Sequence, residues 1–354
     1  MREVNALVTD KLSSGRRRRR NDKKDINIRE VAREAGVSIA TVSRVFQSPD
    51  RVANLTREHV QAVISRLGYT PNILARSLAI AKTHSIVALV PDIANPFFSE
   101  VIRGIEQVAQ QNGYTVLLGD TQYDLQREQA YAQLIPARQA DGLITLMPHI
   151  PRIQVNGRPP IVNACECVED NGITTVRTDN IAGAKAAVGY LIALGHRNIA
   201  HIIGRPKSPL SIDRQEGYRR ALAEAGLGIN PHLLSQGDFS AESGIRATER
   251  LFSSKQRFTA IFCSNDEMAL GAINAIRLRG LRVPQEISII GFDDIRLARY
   301  FDPPLTTVAQ PMRQIGQEAM KLLIEILLDK DVPPRKCVLA ESLVVRKSAV
   351  APPT

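Results

Sequence analysis

No run of apolar residues in this 354-residue chain approaches the length of a membrane span. The arginine run near the N-terminus is not followed by the apolar stretch of a signal peptide. Four cysteines are too few for a disulfide framework in a chain of this size. Cys165 and Cys167 form a C-x-C pair, but no second pair or nearby histidine completes a metal site. Reduced cysteines in a cytoplasmic protein are the expectation. Also missing are a G-x-G-x-x-G after a strand, a G-x-x-x-x-G-K-[ST] loop and a G-x-S-x-G elbow. Asp293-Asp294 offers two carboxyls, but adjacent side chains point apart and no nucleophile motif accompanies them. Neither an enzyme nor a cofactor or metal is expected.

Charge is unevenly spread. Lys and Arg number 46 against 36 Asp and Glu, a net charge of +10. Residues 1–83 hold 17 basic and 8 acidic side chains, and the remainder holds 29 and 28. A basic front joined to a nearly neutral body is the footprint of a nucleic-acid-binding module beside a separate domain. A basic disordered tail would account for Arg16–Arg20 but not for the ordered pattern that follows. The body, in a chain 44% hydrophobic, has enough apolar residues for real cores.

In the front module, Ile28, Val31, Ala32 and Ala35 recur at i, i+3, i+4, i+7, and Gly36 ends that helix. Ser38 caps a second helix over 39–46, whose Ile39, Val42, Val45 and Phe46 are apolar at helical spacing. A third helix starts from Thr56 as cap, with Val60, Val63, Ile64 and Leu67 on one face and Gly68 past its end. Two short helices joined by a tight turn make a helix-turn-helix. The outer face of the second helix carries Ala40, Thr41, Ser43 and Arg44. Short side chains let a helix approach the floor of the major groove, and Arg44 has the fork to read guanine O6 and N7. Ser38, Ile39, Ala40, Thr41, Ser43 and Arg44 are therefore the candidate DNA contacts. After Pro71, residues 72–79 read as a short helix with Leu74 and Leu78 at i, i+4. It is too short to be stable alone, and a minor-groove base step or a second subunit could partner its apolar side. Asn72, Ala75 and Leu78 are its candidate contacts.

From Ser85 onward, strands alternate with amphipathic helices, twice over. Two doubly wound parallel-sheet subdomains are expected, with a ligand at the strand carboxyl ends in the cleft between them. Just past strand ends lie Asp92, Asn95, Phe97 and Phe98, then Arg214, Asn265-Asp266 and Asp293-Asp294. Arg214, Asn265 and Asp293 can chelate sugar hydroxyls, and Phe97, Phe98 and Phe239 offer flat apolar surface to a base or a sugar face. The alternative for each residue is ordinary: a helix cap, a surface ion pair or a core ring.

The stretches "INIREVAREAGVSIATVSRVF", "TREHVQAVISRLGYTPNILARSLA", "SNDEMALGA", "ISIIGFDDI" and "PPLTTVAQP" resemble the lac repressor family of bacterial transcription factors. The likeness runs from about Ile26 to Arg346, with the motifs in the family's order. It implies a helix-turn-helix domain on a periplasmic-binding-protein-like α/β body, with Ile39, Ala40 and Arg44 facing bases and Leu78 as a minor-groove wedge. It also strengthens the effector roles of Arg214, Asn265, Asp293 and Phe98. The implied function is a cytoplasmic, effector-controlled repressor on double-stranded operator DNA. "VPDIANPFFSEVIRGIE" and "GDFSAESG" are most similar to family members that govern nucleoside uptake and catabolism. A nucleoside, cytidine or adenosine first, is the expected effector, and a hexose is the runner-up. A solute-binding receptor would suit the body alone but not the basic front. One short recognition helix reads too few bases, so a homodimer is expected, and "KSAVAPPT" has no heptads for a tetramerising coil.

The expected division is a basic tail over 1–25, the helix-turn-helix over 26–70, a hinge and linker over 71–83, the effector-binding and dimerisation body over 84–346, and a tail over 347–354. Within the body the subdomains are expected at 84–179 with 310–332 and at 180–309 with 333–346. The "GRRRRRNDKK" stretch is either a source of additional phosphate contacts or simply solvated.

Overall fold

A computed structural model describes residues 26–69, 82–166 and 172–353. The basic tail and the expected hinge helix, with Asn72, Ala75 and Leu78, lie outside the described residues, as does Cys167. The chain divides into two units that part between Ile80 and Ala81.

The first unit is built on three helices. Helix α1 spans Ile28–Glu34 and opens with a capping box: the Asn27 side chain accepts from the Arg29 and Glu30 amides, while Glu30 accepts from the Asn27 amide. Gly36 then turns the chain at φ 64°. Helix α2 spans Ile39–Gln47, and the Ser38 hydroxyl accepts from the Thr41 amide at 3.1 Å. Helix α3 spans Asn54–Leu67 and stops at Gly68, φ 64°. Val31, Val42 and Val60, one from each helix, are fully buried together.

One expectation needs correcting here. Thr56 is not the cap of α3, which begins two residues earlier without a side-chain cap bond at Ala53. Its first turn faces water, as Leu55 does at 83% exposure, so apolar periodicity carried no trace of it. Ile39, apolar at helical spacing and a candidate DNA contact, is 45% exposed at the first position of α2.

The second unit holds two six-stranded sheets. In the first, β1 (Ser85–Val90), β2 (Thr115–Asp120), β3 (Gly142–Thr145), β4 (Ile161–Ala164) and β5 (Thr174–Thr178) interleave with α4 (Pro96–Gln111) and α5 (Leu125–Ala132). In the second, α6 (Asn180–Ala193), β6 (Ile199–Ile203), α7 (Pro209–Glu224), β7 (Leu234–Gln236), α8 (Ala241–Ser253), β8 (Ala260–Cys263), α9 (Asp266–Leu278), β9 (Ser288–Asp293) and β10 (Thr306–Ala309) follow one another. Helix α10 (Met312–Leu328), β11 (Lys336–Leu339) and β12 (Ser342–Val344) complete the chain. The sheet orders are β11-β5-β4-β3-β1-β2 and β12-β10-β9-β8-β6-β7. All pairings are parallel except β10 with β12. The expected pair of doubly wound sheets is present, and the buried runs of β1, β3, β4, β8 and β9 reflect helices on both faces.

The C-terminal stretch departs from the expectation. "CVLAESLVVR" is two short strands in different sheets. Cys337 and Val338 pair with β5 in the first sheet, and Leu343 pairs with β10 in the second. Residues 336–339 therefore belong to the first subdomain, not the second. The chain crosses between sheets three times, after β5, after β10 and between β11 and β12. Nor are residues 347–353 a loose tail. Ser348 is fully buried, donates to the Ile289 carbonyl at 2.6 Å and accepts from the Thr306 amide. The Val350 carbonyl accepts from His196 and from Ser288. Backbone hydrogen bonding, to which apolar patterning is blind, ties this segment down. The amphipathic stretch "LQREQAYAQLIPARQ" is helical only to Ala132 and continues as turns.

Helices α4 and α10 cross at two glycines. A methyl group on Gly316 would overlap the Val101 carbonyl oxygen, and one on Gly104 the Arg313 carbonyl oxygen. This close crossing seats α4, whose first turn faces the cleft. Gly316→Val is expected to destabilise the body by about 1–3 kcal/mol or more, the range for overpacking a filled contact. Urea denaturation checks it, and an unchanged midpoint would contradict the crossing.

Candidate functional site

The strand carboxyl ends of both sheets face a cleft with about 340 Å³ of empty space, part of it open to solvent. Its wall contains every candidate effector residue: Phe97, Phe98, Arg214, Phe239, Asn265 and Asp293. Asn95, Tyr123, Glu166, Leu210 and Gln310 line it too.

Arg214 dominates the polar wall. Helix α7 places it on the inner face, 1% exposed. Its Nε donates to Asn180 Oδ1 at 2.8 Å, one terminal nitrogen donates to the Ser264 carbonyl, and the plane stacks over Phe292 at 3.8 Å. The remaining nitrogen lies 3.6 Å from Asp293 Oδ1, is buried, and has no hydrogen-bond partner. A buried donor of this kind is costly unless something else satisfies it. Asp293 ends β9 at φ 116°. Gln310 Nε2 donates to its Oδ1 at 2.7 Å, and Thr178 Oγ1 donates to Gln310 Oε1 at 2.9 Å. Asp293 is thus linked to two of the chain crossings. Burial pushes the Asp293 carboxyl up to about 6, against the pull of Arg214 and Gln310.

The other polar residues divide by role. Asn265 caps α9 by accepting from the Met268 amide, and its Nδ2 donates to the Phe239 carbonyl at 2.9 Å. That bond holds Phe239 at φ 75°, a conformation that is costly for a non-glycine residue. Phe97 and Phe98 meet edge to face at 5.2 Å. The neighbours named with these residues in the sequence turn elsewhere. Asp266 is fully buried and accepts from the Ile295 amide and the Thr307 hydroxyl, so it fixes the loop after β9. Asp294 points away to Arg346, at 2.7 Å. Asp92 accepts from the Ala94 amide within its own turn.

Contacts bridge the two sheets' loops around the cavity. Ser208 donates to Glu166 Oε2 at 2.8 Å, Asn95 Nδ2 donates to Glu267 Oε2 at 3.2 Å, and Arg205 lies 3.7 Å over the Tyr123 ring. Burial raises Glu166, and burial followed by Asp293, Asp92 and Glu242 pushes Glu267 up to about 7. Tyr123, Glu166 and Gln310 escaped the sequence reading, although each sits just past a strand end, after β2, β4 and β10. The rule that found Asp293 would have found them.

Three raised carboxyls set a pH dependence. Glu267 and Glu341 are both pushed up to about 7 and Asp293 to about 6, mainly by burial. The folded body keeps protons that the unfolded chain releases, so stability falls as pH rises through those values. Below about pH 6.5 the buried His196 and His201, both lowered by burial, act the opposite way. The urea midpoint is expected to drop between about pH 6.5 and 8. A higher midpoint at the upper pH would contradict this.

In the first unit, Arg44 is exposed on α2 and has no ion pair among the described residues. Ser38 and Thr41 share a hydroxyl hydrogen bond of 2.9 Å, which fixes both side chains at the helix start. Ile39 and Ala40 are exposed beside them, and Ser43 is half-buried.

Comparison with known proteins agrees with both units. Residues 27–72 match the family model "Bacterial regulatory proteins, lacI family", and residues 188–349 match "Periplasmic binding protein-like domain". The HTH-type transcriptional repressor CytR of Escherichia coli (strain K12) is 40% identical, covering 92% of this chain and 97% of that protein. The ribose operon repressor of Haemophilus influenzae (strain ATCC 51907 / DSM 11121 / KW20 / Rd) is 38% identical, covering 91% and 98%. Among solved structures, the lac repressor dimer bound to operator and the anti-inducer ONPF superposes with a TM-score of 0.82 at 29% identity, covering 93% and 100%. Identity at this level along nearly the whole chain places it, helix-turn-helix and two-sheet body together, in the lac repressor family of bacterial transcriptional regulators.

Proposed function

We propose that this repressor binds a near-palindromic operator as a homodimer and that a nucleoside held between its two sheets sets its DNA affinity. The observation that carries the effector reading is the composition of the cavity wall. Phe97, Phe98 and Phe239 supply apolar surface, while Arg214, Asp293 and Gln310 supply paired donors and acceptors. A base and a ribose use both sets at once, and a free sugar needs fewer rings. The likeness to CytR supports the same choice.

Ser38, Ile39, Ala40, Thr41, Ser43 and Arg44 form the major-groove face, and Asn72, Ala75 and Leu78 are assigned to the minor groove. The dimer reading draws on β2, an edge strand whose Leu117 and Leu118 remain 39% and 38% exposed. Coupling would run through the Asp293–Gln310–Thr178 chain of hydrogen bonds. A ligand hydroxyl on Asp293 would bias the crossings toward one arrangement of the two sheets, and that preference would set the DNA affinity.

Calorimetry against nucleosides and free sugars tests the effector, paired with gel shifts on a palindromic operator. Binding of a hexose with no nucleoside signal would sink the nucleoside reading. The likeness to a ribose operon repressor makes a sugar the second reading.

A further inference from the structure

We infer that the cleft admits only unphosphorylated ligands, and that Glu166 is the residue that excludes the phosphate monoesters. The inference rests on the cavity being the effector site, and it goes on to fix the charge class of what enters.

The first observation is the balance of charge at the wall. Among the described residues Arg214 is the only cation lining the cavity, and Glu166 and Asp293 line it as well. Four carboxyls act on that single guanidinium: Asp293, Glu341, Glu166 and Asp266. Two of its three nitrogens are already committed to Asn180 and Ser264. What remains is one N–H edge facing Asp293, which suits a hydroxyl and not the two-pronged grip that a phosphate takes from arginine.

The second observation is what lies beside the wall. Asn95 of the wall donates to Glu267, on which Asp92 and Glu242 act in turn, so the groups adjoining the cavity there are acidic too. Arg205 acts on Glu166 from outside the wall. It sits 3.7 Å over the Tyr123 ring and donates to the Asp238 carbonyl. His149 also acts on Glu166 but is over half exposed and paired toward Glu128.

The third observation is that Glu166 is buried and anchored. It is 2% exposed, and Ser208 from the opposite sheet's loop holds one oxygen at 2.8 Å. A dianion in the cavity would face the oxygens of a carboxyl held in place by that bond. Selectivity by repulsion of this kind works without weakening the contacts to the proper ligand. Hydroxyls and amines, by contrast, are what Glu166 and Asp293 can accept from.

The test is calorimetry of the full chain against matched pairs: cytidine and its 5′-monophosphate, adenosine and its 5′-monophosphate, ribose and ribose 5-phosphate, glucose and glucose 6-phosphate. The neutral member of the binding pair is expected to bind at least thirtyfold more tightly than its monoester. In Glu166→Gln, which keeps the Ser208 contact, that ratio is expected to shrink at least tenfold. A ratio below thirtyfold in the wild type overturns the exclusion. An unchanged ratio in the variant overturns the assignment to Glu166. If ribose or glucose binds, its phosphate does not, and the nucleosides are silent, the nucleoside reading fails and the exclusion stands. Silence from all eight compounds overturns both.

Discussion

Arg214→Ala is expected to destabilise the body by about 3–5 kcal/mol, the range for breaking a buried ion pair from one side. The guanidinium is 1% exposed and holds Asn180, the Ser264 carbonyl and the Phe292 face. Its removal would leave Asp293, 6% exposed, beside an empty volume with only Gln310 as partner. Asp293 would then take up its proton more readily, which recovers part of the cost. Effector binding should vanish, because a buried donor without a partner goes with the side chain. Arg214→Lys separates the two effects. An ammonium can still oppose Asp293, but it cannot hold Asn180 and the Ser264 carbonyl while stacking flat on Phe292. Urea denaturation and calorimetry on both variants check this. An alanine variant with wild-type stability and affinity would show that the buried pair carries neither.

The cleft was legible in the sequence because parallel α/β sheets put ligands at strand carboxyl ends. Strand ends could be found from apolar runs, and polar residues just beyond them became candidates. Arg214, Asn265 and Asp293 all reached the cavity that way. Glu166 obeys the same rule, but its surroundings, "CECVED", read as a loop with a cysteine pair and hid it. What the pattern could not say is which of two neighbouring polar residues turns inward. Asp293 faces the cavity and Asp294 faces Arg346, and Asp266 is sealed under the loop after β9. Those choices depend on positive φ angles at Asp293 and Asp294, which leave no mark on hydrophobic spacing.

Chain crossings were harder still. Two sheets of similar size were evident from alternation, but not which sheet took residues 336–339. "CVLAESLVVR" looks like one strand because its apolar residues run through both halves. The break falls at Ala340-Glu341, between β11 and β12, and is fixed by pairing with β5 on one side and β10 on the other. Pairing partners far apart in sequence are set by tertiary contacts, and local propensity carries no record of them. The buried segment around Ser348 escaped for the same reason.

Arg44→Ala is expected to weaken operator binding by about 1–3 kcal/mol, the value of one bidentate base contact. Several features of α2 point there together. The helix is anchored by fully buried Val42 and by Val45, so its outer face is fixed in direction. Ser38 and Thr41 are tied to each other and to the first turn, which holds the helix start rigid. Ala40 is too short to obstruct close approach. Arg44, one turn beyond Ala40, is exposed and free of any ion pair among the described residues, so nothing must be broken before it reaches a base. If it reads a guanine, Arg44→Lys loses most of the same energy, because an ammonium has no fork to match O6 and N7. Binding to random DNA should change little, and the slope of affinity against salt should stay the same, since no phosphate contact is removed. Gel shifts on operator and on random DNA across a salt series check all three statements. Equal losses on both DNAs, with a shallower salt slope, would place Arg44 on the phosphate backbone instead.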